Sequence, residues 1–146
     1  MPTGSCHCGR VRITIPTAPA YLNECQCTLC FKYGVRWCYF TKDQVTVEIA
    51  SDSDGDTKQY LLSSPAAASA TPLPGLALYI RNDVDYKTKP ENTAFNRCAN
   101  CGGVAFWIRT YPSYAEKPNG RTGINSQLFA RDVVEGVEIR KEPGPP

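Results

Sequence analysis

Seven of the eight cysteines fall in close-set groups: Cys6-His7-Cys8, Cys25-Gln26-Cys27-Thr28-Leu29-Cys30 and Cys98-Ala99-Asn100-Cys101. Thiolates two or three residues apart can turn onto one ion from a tight loop, so this spacing favours metal binding over a disulfide framework. An even count of eight permits disulfides. However, Met1 to Arg10 carry no apolar signal core, and a chain without a secretion signal is expected to stay in the reducing cytoplasm, where disulfides rarely persist. Zinc takes thiolates in a tetrahedron. Four close a structural site, and three leave one position for water or substrate. Cys6 and Cys8 lie between Gly4 and Gly9, and Cys98 and Cys101 run into Gly102 and Gly103. Each pair is a half-site, and together they would close one four-thiolate site that ties the N-terminus to the last third of the chain. Cys25, Cys27 and Cys30 form a local triple that can hold a second ion and leave its fourth position open.

Two further residues bear on this grouping. His7, the single histidine, lies between two ligands on a short turn, and its side chain should point away from the ion. Cys38 opens an apolar run and reads as a buried free thiol. As a fourth ligand to the triple it would close that site.

The elements that must position these groups are short. Val11 to Ile15 and Val45 to Ile49 alternate apolar and polar residues, as half-buried strands do. Trp37 to Phe40, Leu76 to Ile80 and Val104 to Ile108 are apolar β-type runs, and Val137 to Ile139 gives a short last strand. Twelve prolines and eleven glycines exclude long helices. A turn or two of helix is expected from Thr28 to Tyr33, ending at Gly34. The fold class is therefore mainly β: a small, mostly antiparallel domain with zinc knuckles and little helix, spanning residues 1–146 as a single unit. Ser63 to Pro74, rich in Ser, Ala and Pro, reads as an exposed loop, and 142–146 as a flexible tail. Ser51 to Asp56 resembles the start of a calcium loop, but its twelfth position is Ser63 and not glutamate, so it reads as a solvated turn.

Composition narrows the function classes. At 146 residues the chain can bury a real core, and 42% hydrophobic against 21% charged residues excludes a disordered chain. No apolar run approaches the roughly 20 residues of a membrane span. The formal charge of +2 becomes about −1 with seven metal-bound thiolates and two zinc ions, which leaves no electrostatic footprint for nucleic acid.

The order Gly4-Ser5-Cys6-His7-Cys8-Gly9-Arg10-Val11, then Cys25-x-Cys27-x-x-Cys30, then Arg97-Cys98-x-x-Cys101-Gly102, resembles the glutathione-dependent formaldehyde-activating enzyme family, which includes centromere protein V. The resemblance runs from about Gly4 to about Glu142, and Gly123-Ile124-Asn125 is similar to the family's closing strand. It implies a β-tent domain with two zinc ions per chain. The closed site would use Cys6, Cys8, Cys98 and Cys101, and the open one Cys25, Cys27 and Cys30, in agreement with the grouping above. The chain departs from the family where Gln26 replaces a frequent histidine, in the longer 51–96 stretch and in Cys38.

The implied chemistry is a zinc-dependent carbon–sulfur lyase or thiol–aldehyde adduct enzyme. Glutathione or another small thiol is the co-substrate, and an aldehyde or thioether is the second partner. A thiol on zinc is deprotonated at neutral pH and becomes a nucleophile or leaving group. Lys32 and Arg36, just beyond the triple, are placed to meet the carboxylates of the thiol, and Arg97 is a further candidate. Trp37, Tyr39 and Phe40 read first as strand packing and second as a pocket wall. The partners expected are small molecules, with no nucleic acid and no membrane, and a homodimer is allowed. The rival reading is a zinc-stabilised binding or scaffold module without catalysis. A third is a redox sensor in which the triple cycles through a disulfide.

Overall fold

Residues 1–50, 56–67, 71–81, 93–109 and 120–143 are described by the structure, a computed structural model of the chain. Their strands build two sheets. Four strands, β1 (Thr3–Ser5), β2 (Val11–Thr14), β5 (Thr46–Ala50) and β6 (Thr57–Leu61), form an antiparallel sheet in the order β1-β2-β5-β6. Seven strands form the larger sheet: β3 (Tyr21–Asn23), β4 (Trp37–Thr41), β7 (Leu76–Ile80), β8 (Thr93–Cys98), β9 (Val104–Arg109), β10 (Arg121–Asn125) and β11 (Glu138–Arg140). Their order is β11-β3-β4-β10-β9-β8-β7. All its pairings are antiparallel except β11 with β3. Among the described residues, helix is confined to α1 (Thr28–Tyr33), α2 (Arg131–Val134) and two short 3-10 turns. The mainly β expectation therefore holds. Among the described residues, no helix is long and apolar enough to cross a membrane.

Alternation along the strands gives the larger sheet two faces with different duties. On one face, Cys38, Ile124 and Phe106 stand in a cross-strand row, with Ala94 beside Ile108. These residues join Val11, Ile13, Val47 and Ile49 of the smaller sheet in the main core. On the other face, Tyr39, Gly123, Trp107 and Phe95 stand in a row. That face carries a second cluster in which Trp37 and Phe95 pack with Cys25, Cys27 and Cys30. One sheet thus supports the core on one side and the site on the other.

The predicted strands and α1 form within a residue of their expected bounds. The sequence reading did not single out β1, β3, β6 or β8. β1 and β3 are three residues long, and β6 is a polar edge strand with no buried face. The 63–74 stretch is not uniformly exposed: Ala67 and Leu73 are buried and pin it to the core, while Pro65, Ala66 and Pro74 stay exposed. Nor does the expected flexible tail begin at Glu142. Gln26 N–H donates to the Glu142 carbonyl at 2.8 Å, and Glu142 N–H donates to Asn23 Oδ1 at 3.2 Å. The tail residues 144–146 and residues 51–55 of the polar turn lie outside the described residues.

Candidate functional site

Two tight turns build the outer cysteine cluster. In the first, Gly9 N–H donates to Cys6 O at 3.0 Å, and in the second Gly102 N–H donates to Cys98 O at 3.0 Å. Both glycines have φ near +80°, at 82° and 77°, a conformation in which side chains are strained. The turns bring Cys6, Cys8, Cys98 and Cys101 together with every sulfur within 4.8 Å of the others. Cys8 Sγ stands 3.6 Å from both Cys6 Sγ and Cys98 Sγ. A disulfide needs about 2.05 Å. Sulfurs on one tetrahedral zinc, each about 2.3 Å from the ion, stand about 3.8 Å apart. The spacing fits the ion and not the bond. Burial pushes the Cys6 thiol up to about 12, whereas Cys8 falls to about 6 beside the Asn100 side chain. Such a mixture of charged and protonated sulfurs is what a soft dication resolves.

The central cluster is local. Cys25 follows β3, Cys27 is the N-cap of α1, and Cys30 lies in the helix's first turn. Cys27 Sγ takes the place of the usual hydroxyl or carboxylate cap and accepts from Cys30 N–H at 3.4 Å. The three sulfurs lie within 4.8 Å of one another, and all three residues are buried. Side-chain donors are aimed at them: Trp37 Nε1 donates to Cys30 Sγ at 3.3 Å, and Arg81 Nη1 donates to Cys27 Sγ at 3.2 Å. Contact with the Cys25 and Cys30 sulfurs, helped by Arg81, holds the Cys27 thiol far below its ordinary range. Contact with Cys27, with burial, pushes Cys25 up, and contact with Cys25 and Cys27, with burial, pushes Cys30 up. Three crowded, buried sulfurs whose thiols are pushed in opposite directions suit a divalent thiophilic ion. Arg81 then offsets the excess charge of three thiolates on a dication.

These sulfurs line a cavity of about 400 Å³ on the site face of the larger sheet. Its aromatic walls are Trp37, Tyr39, Phe95 and Trp107, and its cations are Arg81, Arg109 and Arg121. The walls brace one another. Trp107 meets Tyr39 edge-on at 6.2 Å between ring centroids, and the Arg121 guanidinium lies 3.7 Å from the centre of the Tyr39 ring. Gly123, between Tyr39 and Trp107 in the sheet, leaves the room the indole occupies. A methyl group there would overlap it.

The four outer and three central cysteines come together as grouped from their spacing. Cys38 joins neither set. It lies on the core face of β4, and its thiol donates to the Ile124 carbonyl at 3.5 Å. His7 is exposed and outside the outer cluster. Lys32 and Arg36 do not line the 400 Å³ cavity. Lys32 projects to solvent from α1. Arg36 Nε is held at 2.7 Å by Glu24 Oε1, and its carbonyl accepts from Ser126. Arg97 is also absent from the lining, as is Phe40, which packs on the main core. The cations of the cavity come instead from strand ends, where no motif marks them: Arg81 just after β7, Arg109 closing β9 and Arg121 opening β10. The usable signal was the parity of Arg109 with Trp107 on one strand.

The fold and the sulfur geometry define a mainly β protein with two cysteine clusters fit for metal. The family model described as "Glutathione-dependent formaldehyde-activating enzyme" matches residues 1–65. The resemblance read from the cysteine pattern therefore holds for the segment that carries the first pair and the central triple. A Rhodobacter sphaeroides protein of known crystal structure is similar over 94% of this chain and 98% of its own, at 19% identity and a TM-score of 0.53, a likeness of fold. No curated protein matches the chain.

Proposed function

We propose that the chain forms and cleaves carbon–sulfur adducts between a small anionic thiol, glutathione or a relative, and an aldehyde. The observation that carries this reading is the pairing of a three-sulfur cluster with a cavity that holds three arginines and four aromatic rings. Zinc on Cys25, Cys27 and Cys30 would supply a position at which a small thiol sits as its thiolate. Arg109 and Arg121, which line the cavity, would meet carboxylates of the thiol, the role expected from spacing for Lys32 and Arg36. Trp37, Phe95 and Trp107 exclude water and hold the carbonyl compound beside the sulfur. Adduct formation joins the thiolate sulfur to the carbonyl carbon, and the oxygen gains a proton. Cleavage is the reverse. A second zinc on Cys6, Cys8, Cys98 and Cys101 would hold the fold.

The test is the full chain, loaded with zinc, mixed with glutathione and formaldehyde. Exchange NMR at equilibrium follows the rate at which the adduct forms and breaks. The reading expects exchange well above the uncatalysed rate, abolished by Cys27→Ser. Exchange no faster than in buffer with zinc alone would overturn it.

A further inference from the structure

One hydroxyl in the cavity has its hydrogen-bond direction fixed by its neighbours. Asn23 is buried, and its Oδ1 accepts from the backbone N–H of Glu142 at 3.2 Å. A backbone N–H can only donate, so the amide is oriented: Oδ1 accepts from Glu142 N–H, and Nδ2 is the donor end, 3.5 Å from the Glu142 carboxylate oxygen Oε2. Nδ2 stands 2.7 Å from the Tyr39 hydroxyl, and an amide nitrogen can only donate. Tyr39 oxygen is therefore the acceptor in that bond, and its own proton is not spent on Asn23. Among the described residues that proton meets no other acceptor. Tyr39 lines the same cavity as Cys25, Cys27 and Cys30.

We infer that the Tyr39 hydroxyl is the catalytic proton donor to the carbonyl oxygen as the carbon–sulfur bond forms, and the acceptor of that proton when the bond breaks. The inference rests on the function proposed above. In the forward direction the thiolate sulfur pair forms the bond to carbon. The carbonyl π pair moves onto oxygen, and oxygen takes the Tyr39 proton. The phenolate left behind is stabilised by the Asn23 amide and by the Arg121 guanidinium 3.7 Å from the ring centre. It regains a proton from solvent, matching the one the thiol released on becoming a thiolate. Nothing is oxidised or reduced. A phenol keeps its proton at neutral pH. Tyr21 and Trp107 pack against the ring and Arg121 covers it, holding the hydroxyl in position.

Tyr39→Phe keeps the ring and removes the proton. In the zinc-loaded chain with glutathione and formaldehyde it is expected to slow catalysed exchange by about 100-fold or more. Zinc content and glutathione affinity, measured by calorimetry, should stay at the parental values. Asn23→Asp gives an independent reading, because it puts an acceptor where Nδ2 stood and turns the Tyr39 proton towards itself. It should slow exchange with Tyr39 still present. Parental exchange in either variant overturns the inference. So does a loss of rate matched by an equal loss of glutathione affinity, which would make Tyr39 structural. So, too, does a loss in Glu142→Gln with Tyr39→Phe unaffected, which would assign the proton to the nearby carboxylate. A parent chain without catalysed exchange removes the proposed function itself. A competent parent with competent variants removes Tyr39 alone.

Discussion

Cys8 and Cys98 are 90 residues apart in sequence and 3.6 Å apart in space, whereas Cys25, Cys27 and Cys30 lie within one short loop and the first turn of α1. The outer cluster joins two knuckles at the ends of distant strands, and Cys8 is exposed there. The central cluster is buried and faces a cavity rather than a second knuckle. Its sulfurs receive the side-chain donors Trp37 and Arg81, while in the outer cluster the Cys6 sulfur receives the backbone N–H of Val11 at 3.3 Å and Cys8 meets the Asn100 side chain. The same ligand can therefore serve two ends. Where an ion closes a long loop, its binding energy becomes folding energy. Where it sits on a short loop, little chain is freed on its loss, and the surroundings decide what else can bind.

The largest effect should come from breaking the long closure. Metal binding of this kind is worth on the order of 10 kcal/mol, as much as the whole stability of many domains. Cys98→Ala is expected to give a chain without a cooperative melt, seen by circular dichroism on heating. A variant that melts like the parent with both zinc ions would exchange the roles of the two clusters. Next comes Cys27→Ser. It should stay folded, fall from about two zinc ions per chain to about one, and lose adduct exchange entirely. Metal analysis and the thermal melt check this together, and a collapse like that of Cys98→Ala would erase the contrast. A smaller effect is expected from Arg81→Met, which keeps bulk and removes the charge beside Cys27. Central zinc should bind about 10–100-fold more weakly, the usual cost of losing a partner behind a ligand. Competition with a chromophoric chelator measures it, and the outer zinc should be unmoved.

Both clusters were legible in the sequence. Spacing alone grouped the four outer cysteines, because a pair of thiols with a following glycine has few other uses. The triple and α1 were equally plain, from three cysteines in six residues and Gly34 behind them. What surrounds the triple was not. Lys32 and Arg36 are its neighbours in sequence, yet a helix carries Lys32 outward and Glu24 holds Arg36. Arg81, Arg109 and Arg121 are distant in sequence and reach the cavity through sheet register, which depends on pairings between strands that no local pattern fixes. The same holds for Gly123, whose use is seen only once Trp107 lies against it. Cys38 was settled by parity: one position from Trp37 and Tyr39 on a strand, it takes the opposite face.

The contrast between the clusters reduces to whether the central one accepts an outside thiol. Cobalt in place of zinc reports this directly, since its visible spectrum changes with its ligands. In the cobalt-loaded chain, glutathione is expected to shift the absorption of the central ion and leave that of the outer ion unchanged. Cys27→Ser should abolish the response. A spectrum unmoved by saturating glutathione would contradict the account and make the central cluster a second structural site.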